Sequence, residues 1–463
     1  MLGHGGFIQK RVPPDYNLMK VKSSTSTPSS KQTDDPWTMA NTNTSAPPGT
    51  PDGLATRATL VSLAKELLDM SERFEPKQQE QIFAVEPEIV LKAKAFIAAD
   101  QSPVDYSMAT VSSVMGAAVV RTLSHLNAFQ AIPYPEGATA QTVADATGSQ
   151  LSLIERLLRT AASVGFLSYD IPSRTFKHTH LSAPWAQANS SAEDVFTMCY
   201  DTGLAPMIVL PDWLGHNNPQ QASEPSGENS GTHNPLTYYN HTEGKTIFET
   251  LARQPENLAV FGRVLKAAAS FRPFTGIYPW ERLADADAER PLFVDIGGGT
   301  GHAIAAILAA QPGLPASGFV LQELPEVIAS AKGSGLLPEG VQYQAHDFLT
   351  PNTVKGAKAY HFRACLHDWP DVTCARMLKC VASVMAQDSR LLIAEALLPE
   401  DPRDDMGGLM GVQDMLMLCI GGKERTAEGF GKVVEEAGLV VEKVWEGDGT
   451  GRFVVLECKL ADC

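Results

Sequence analysis

The 463-residue chain is 44% hydrophobic, enough apolar material for two to three packed domains. Its 53 acidic side chains against 37 basic ones leave a formal net charge of −16, a balance that disfavours nucleic acid as a partner. The 7 cysteines are odd in number and lack C-x-x-C spacing, so they read as free thiols rather than as a disulfide framework or a structural zinc site.

The N-terminus, MLGHGGFIQKRVPPDY, has no apolar core of the kind a signal peptide needs, and no run of about 18 uninterrupted apolar residues follows it. A cytoplasmic protein with no membrane partner is expected. Residues 1–54 are rich in Ser, Thr, Pro and Asn, a composition that cannot offset the entropy of ordering, and a disordered tail is expected there. Residues 55–275 form a second unit, mostly helical. LVSLAKELLDMSERF, IVLKAKAFIAAD and the stretch 108–132 all carry apolar residues at helical spacing. TAQTVADATGSQLSLIERLLRTAASVGFLSYDIPSRTFKHT then reads as helix, turn, helix and a short strand pair, the outline of a winged helix. Winged helices often read DNA, but the second helix here offers Arg156, Arg159 and little else that is basic. A packing or dimerising helix fits that composition better, and a homodimer is expected. Within 211–233, NNPQQASEPSGENSGTHN predicts a surface loop, after which GKTIFETLARQPENLAVFGRVLKAAASF returns to helix.

In the third unit, residues 276–463, short apolar strands alternate with helical segments: LFVDIG, GFVLQEL, VQYQAHDF, AYHFRACL and RLLIAEAL. That alternation predicts a parallel sheet with helices on both faces. The last two strands, LVVEKVWE and RFVVLECK, are joined only by GDGTG, too short for a parallel crossover, so the final strand should insert antiparallel. A seven-stranded sheet with one antiparallel strand is the arrangement of class I methyltransferases that use S-adenosylmethionine.

The first strand leads into Asp295, Gly297, Gly298, Gly299 and Gly301. The dinucleotide fingerprint G-x-G-x-x-G fails here, because His302 stands where its third glycine would be. Glycines still let a ligand lie close against the turn backbone. An acid at Asp295 would repel a pyrophosphate and attract the amino or sulfonium group of S-adenosylmethionine. Glu323 ends the second strand, where a carboxylate can bind both ribose hydroxyls, and Asp347 and Phe348 follow the third, where an acid and an aromatic can hold adenine.

His367, just past the fourth strand in FRACLHDWPD, can take a proton near neutral pH. Glu395, just past LLIA, and Glu424, in GGKERT, are expected in the same cleft, one or both holding the imidazole's second nitrogen. The plain alternative is that these carboxylates pair with Lys423 or Arg425. Nothing in the sequence offers a serine nucleophile elbow, a phosphate-binding loop or a metal cluster.

VDIGGGTGH, LQELPEVI, HDFL, FRACLHDWPD, LIAEALLP and GGKERT occur in the order and spacing of a known family. From about residue 108 to 459 the chain resembles the fungal and plant small-molecule O-methyltransferases of the caffeate type. The resemblance implies a helical winged-helix dimerisation domain followed by a Rossmann-like S-adenosylmethionine domain. It implies cofactor contacts at Gly297 to Gly299, Glu323, Asp347, Phe348 and Arg363, a general base at His367 with flanking Glu395 and Glu424, and no metal. Two departures stand out: Glu323 replaces the commoner aspartate, and the stretch before GGKERT is shorter than in plant members and lacks their substrate-facing asparagine. The expected acceptor is a hydroxylated, aromatic small molecule such as a polyketide. Two other readings are a pericyclase or dehydratase that keeps S-adenosylmethionine on the same fold, and a non-catalytic winged-helix binding protein.

Overall fold

The computed structural model describes residues 57–72, 87–218, 220–271, 274–285, 290–405, 408–447 and 453–461. The expected tail, 1–54, lies outside the described residues. Among those described, no helix is long and apolar enough to cross a membrane.

Helices dominate the first half. Ser102 caps the helix Pro103–His125: its hydroxyl accepts from the Asp105 amide at 3.2 Å while the Asp105 carboxylate accepts from the Ser102 amide at 3.1 Å, a reciprocal box that satisfies two otherwise unpaired donors. Strand β1 (Ala138–Thr139), the helices Ala140–Thr147 and Leu151–Ser163, and strands β2 (Leu167–Asp170) and β3 (Thr175–His178) follow in winged-helix order, with the small antiparallel sheet ordered β1-β3-β2. Ile154, Leu158 and Ala161 recur on one face of the second helix and pack with Phe129, Leu123 and Trp185. Arg156 and Arg159 fall on the opposite, exposed face, which is what a helical repeat of about 3.6 residues requires.

All seven predicted strands of the second half are present: β4 (Phe293–Ile296), β5 (Phe319–Glu323), β6 (Gln342–Ala345), β7 (Ala359–Arg363), β8 (Arg390–Ala396), β9 (Leu439–Glu446) and β10 (Phe453–Leu460). They form one sheet ordered β6-β5-β4-β7-β8-β10-β9. The first five are parallel, and β10 runs antiparallel between β8 and β9, as the short GDGTG connection demands. Alternate side chains feed two cores. Phe293, Phe319 and Leu321 meet Ile304 and Ile307 of the helix His302–Ala310. Tyr360, Phe362 and Ile393 meet Met377 and Leu378 of Asp371–Ala382 and Phe430 and Val434 of Ala427–Glu436. Strand order reverses beside β4, between β5 and β7, and such a switch point opens a crevice at the carboxyl ends of the strands.

One expectation is corrected. The Ser- and Asn-rich loop is not wholly at the surface: Ser230 is 2% exposed and its carbonyl accepts from Asn234 Nδ2 at 2.8 Å. Asn234 also donates to the Ile420 carbonyl at 3.0 Å, so this loop's end is pinned to the helix Leu409–Ile420.

Candidate active site

The turn after β4 divides its glycines by task. A Cβ on Gly298 would lie 2.4 Å from Asp295 Oδ2 and 2.7 Å from Leu321, so this glycine is fixed by what is packed beneath it. Gly299 has φ +59° and open space where a Cβ would point, a left-handed residue over an empty cradle. A Cβ on Gly301 would strike Leu337 at 2.6 Å, and one on Gly297 would face Cys365 at 3.6 Å and Phe348 at 3.7 Å.

Glu323, at the end of β5, reaches across to the turn. Its carboxylate accepts from the Gly299 amide at 3.1 Å and from the Leu324 amide at 2.7 Å. Burial pushes its pKa up, and the two amides oppose that rise only in part. Phe348 is half-buried and meets Trp369 edge-on at 5.8 Å, while the neighbouring Asp347 is exposed and accepts from the Leu349 amide at 2.9 Å. Gly297, Gly299, Glu323, Phe348 and Cys365 thus share one crevice.

Two further expected contacts are Asp295 and Arg363. Asp295 is 1% exposed and lies under the turn, with Oδ1 2.8 Å from His361 Nδ1 on β7. Arg363 has its guanidinium 3.9 Å from the Phe274 ring and 5.4 Å from that of Phe453, on the sheet face that carries His361 and Ala394.

The imidazole of His367 lies on a 3₁₀ turn, Leu366–Asp368, that begins where Cys365 abuts Gly297. Its Nδ1 is 2.7 Å from Glu424 Oε1. In the neutral ring a carboxylate partner keeps the proton on Nδ1, which leaves Nε2 as the atom able to accept one. Glu424 is itself oriented: Gln413 Nε2 donates to Oε1 at 2.6 Å, and the Glu424 amide donates to Asp414 Oδ1 at 2.9 Å. Burial alone would pull the imidazole's pKa down, but the charges of Glu395, Asp368 and Glu424 outweigh it and hold it up at about 10.

Glu395 does not hold the imidazole. It is fully buried on β8, and its Oε1 accepts from the amides of Cys365 and Leu366, both at 2.8 Å. It therefore fixes the backbone entering the His367 turn and acts on the ring only through its charge.

The residue that the sequence reading underrated is Arg425. Buried at 3% exposure, it donates to the carbonyls of Leu366 (3.2 Å), Lys423 (2.9 Å) and Trp369 (2.7 Å) and to Asp371 Oδ1 (2.7 Å). Two of those carbonyls flank His367, so the guanidinium laces the turn from both sides. Its ion pair is with Asp371, whereas the plain alternative for the two glutamates paired one of them with Arg425 or Lys423. The GG of GGKERT is equally constrained: a Cβ on Gly422 would lie 2.3 Å from the His367 carbonyl, and one on Gly421 2.2 Å from that of Ser230. Only a side-chain-free backbone passes between the His367 turn and the helical half of the chain.

Residues 226–440 match the model of the O-methyltransferase domain. The O-methyltransferase kntB of Aspergillus niger is 32% identical over 367 residues, 78% of this chain and 85% of that protein. The chain belongs to the O-methyltransferases. Among solved structures, OxaC in complex with SAH and oxaline is 27% identical, with a TM-score of 0.71 over 88% of this O-methyltransferase and all of that chain. A protein described as a pericyclic reaction enzyme shares the fold, at 24% identity and a TM-score of 0.66 over 88% of this chain and all of that one. The cofactor is S-adenosylmethionine. The crevice fits it: Gly299 leaves space against its backbone, Glu323 is poised at the end of β5, and Asp295 Oδ2 is a buried acceptor with no partner among the described residues.

Proposed function

We propose that this enzyme transfers the methyl group of S-adenosylmethionine to a phenolic hydroxyl of a small secondary metabolite, such as a polyketide, in the manner of the caffeate-type branch of its family, with His367 as general base. The observation that carries this reading is the pair formed by His367 Nδ1 and Glu424 Oε1 at 2.7 Å, on a turn that abuts the glycine crevice. When bound, S-adenosylmethionine supplies an electrophilic sulfonium methyl.

The residues assigned to hold it are Gly297, Gly298 and Gly299 through their backbone, Glu323 at the ribose hydroxyls, and Asp347 and Phe348 at adenine. Gly301 shapes the turn. Asp295, beneath the turn, and Arg363, stacked on the Phe274 ring, belong to the same proposed cofactor set. On the acceptor side His367 Nε2 takes the hydroxyl proton, Glu424 keeps that nitrogen turned outward and stabilises the resulting imidazolium, and Glu395 holds the turn's amides. Positioning and exclusion of water supply the remainder. No residue in this scheme is asked to bind a metal.

The shared fold of a pericyclic enzyme keeps a second chemistry in view. The oriented His367–Glu424 pair favours proton removal and hence methyl transfer over a step that needs no base. Incubating the protein with methyl-labelled cofactor and a panel of phenolic polyketides decides between them. Label in the product supports methyl transfer, and conversion of an acceptor without label refutes it.

A homodimer is part of the same reading. The helix Pro103–His125 exposes Val104, Tyr106, Met108, Val111 and Met115, each more than half accessible, a row of apolar side chains that water disfavours.

A further inference from the structure

Asp295 is an acid whose burial stability alone does not explain. It occupies the core that contains Phe293, Leu321 and Trp280, and its second oxygen, Oδ2, has no hydrogen-bond partner among the described residues. A buried acceptor left without a donor is costly, and more so when charged. An expense of that kind is kept where something else depends on it.

What holds the carboxylate is His361. The two residues are directly opposite in the β4–β7 ladder, so their side chains emerge on the same face, and Nδ1 lies 2.8 Å from Oδ1. The ring is 1% exposed and packs against Phe293 at 5.1 Å and Trp280 at 6.0 Å. With Oδ1 fixed by that bond, Oδ2 is directed under Gly298, against the position a Cβ would take.

We propose that His361 is a positioning residue for cofactor binding: its Nδ1–H fixes Asp295 from the neighbouring strand so that the free carboxylate oxygen props Gly298 from below and faces a cationic ligand across the glycine turn. This inference rests on the reading of that turn as the S-adenosylmethionine site. A purely structural pair would add to stability without setting the affinity for the cofactor.

Calorimetry on the full chain with S-adenosylmethionine and SAH, well below the melting temperature of each variant, tests it. His361→Phe keeps a ring against Phe293 and Trp280 and removes the donor; the Kd should rise about 10–100-fold, the loss of one hydrogen bond to a charged group. His361→Asn, which places an amide N–H near the position of Nδ1, should recover most of the affinity. A His361→Phe protein that melts earlier but binds the cofactor as wild type does overturns the inference and leaves the turn's assignment standing. A wild-type chain that binds neither compound overturns that assignment and this inference with it. If His361→Phe does not fold, the Nδ1–H resonance of the wild type, identified by its absence in His361→Asn, must shift when SAH is added; a resonance indifferent to SAH overturns the inference.

Discussion

Glu424→Gln isolates the charge that faces His367 while keeping the side chain's shape. In the native site Glu424 is 2% exposed and accepts from His367 Nδ1 at 2.7 Å and Gln413 Nε2 at 2.6 Å. It is one of three carboxylates, with Glu395 and Asp368, that overcome burial and hold the imidazole at about 10, against 6.5 for a free histidine. Removing one adjacent charge lowers such a pKa by about 1–3 units, equivalent to roughly 1.4–4 kcal/mol. The sign follows from the folded value lying above the unfolded one. The imidazolium's contribution to stability is fully present below pH 6.5 and is lost as pH rises through about 10. The variant should therefore be less stable than wild type at pH 6–7, and the deficit should shrink toward pH 10. The assay is denaturant unfolding of both proteins across that range, paired with an NMR titration of the His367 ring in the ligand-free enzyme. Catalysis should respond to pH in the opposite sense. The neutral imidazole becomes more abundant at pH 7 but is less well oriented, so the wild-type advantage in kcat/KM should grow as pH rises. A His367 titration midpoint that is unchanged or higher in Glu424→Gln would refute the reasoning.

Gly299→Val fills the open cradle and strains a φ of +59°, so the Kd for SAH should rise more than about 10-fold, as read by calorimetry. Gly422→Ala sets a Cβ 2.3 Å from the His367 carbonyl and should displace the base; a shift of about 1 Å can cost about 10²-fold in turnover, with cofactor affinity held, as paired rate and binding measurements would show. Met108→Glu with Val111→Glu on the helix Pro103–His125 should turn a dimer into a monomer by light scattering at micromolar concentration; a wild-type monomer would contradict the assignment of that helix face.

The sheet was legible because its signals are local. Each strand is a short apolar run, and the five-residue GDGTG link leaves β10 no choice but to run antiparallel. The candidate site residues could be proposed for the same reason, since strand ends in such a sheet line a crevice. Their partners could not. Glu395 and Glu424 look alike in sequence, yet the inward alternation of β8 sends Glu395 beneath the turn to two backbone amides, and only Glu424 reaches the ring. Asp295 sits at a strand end as expected, but the cross-strand register that pairs it with His361 is a long-range property that no stretch of sequence displays. Arg425 acts on carbonyls 56 and 59 positions earlier, and backbone acceptors leave no mark on composition. The one hint available was its place inside GGKERT. The loop around Ser230 misled because its composition is polar throughout, while its burial comes from Asn234 and Gly421 across the interior.

His367→Ala tests the central claim most directly, with cofactor binding and methyl transfer measured on the same preparation. If His367 is the base, affinity for S-adenosylmethionine stays near wild type while turnover on a phenolic acceptor falls about 10²–10⁴-fold, and the loss shrinks as pH approaches the acceptor's own pKa, because an ionised phenol has no proton left to remove. Near-normal turnover of the alanine variant at neutral pH would contradict the account, and His367 would then be a structural histidine.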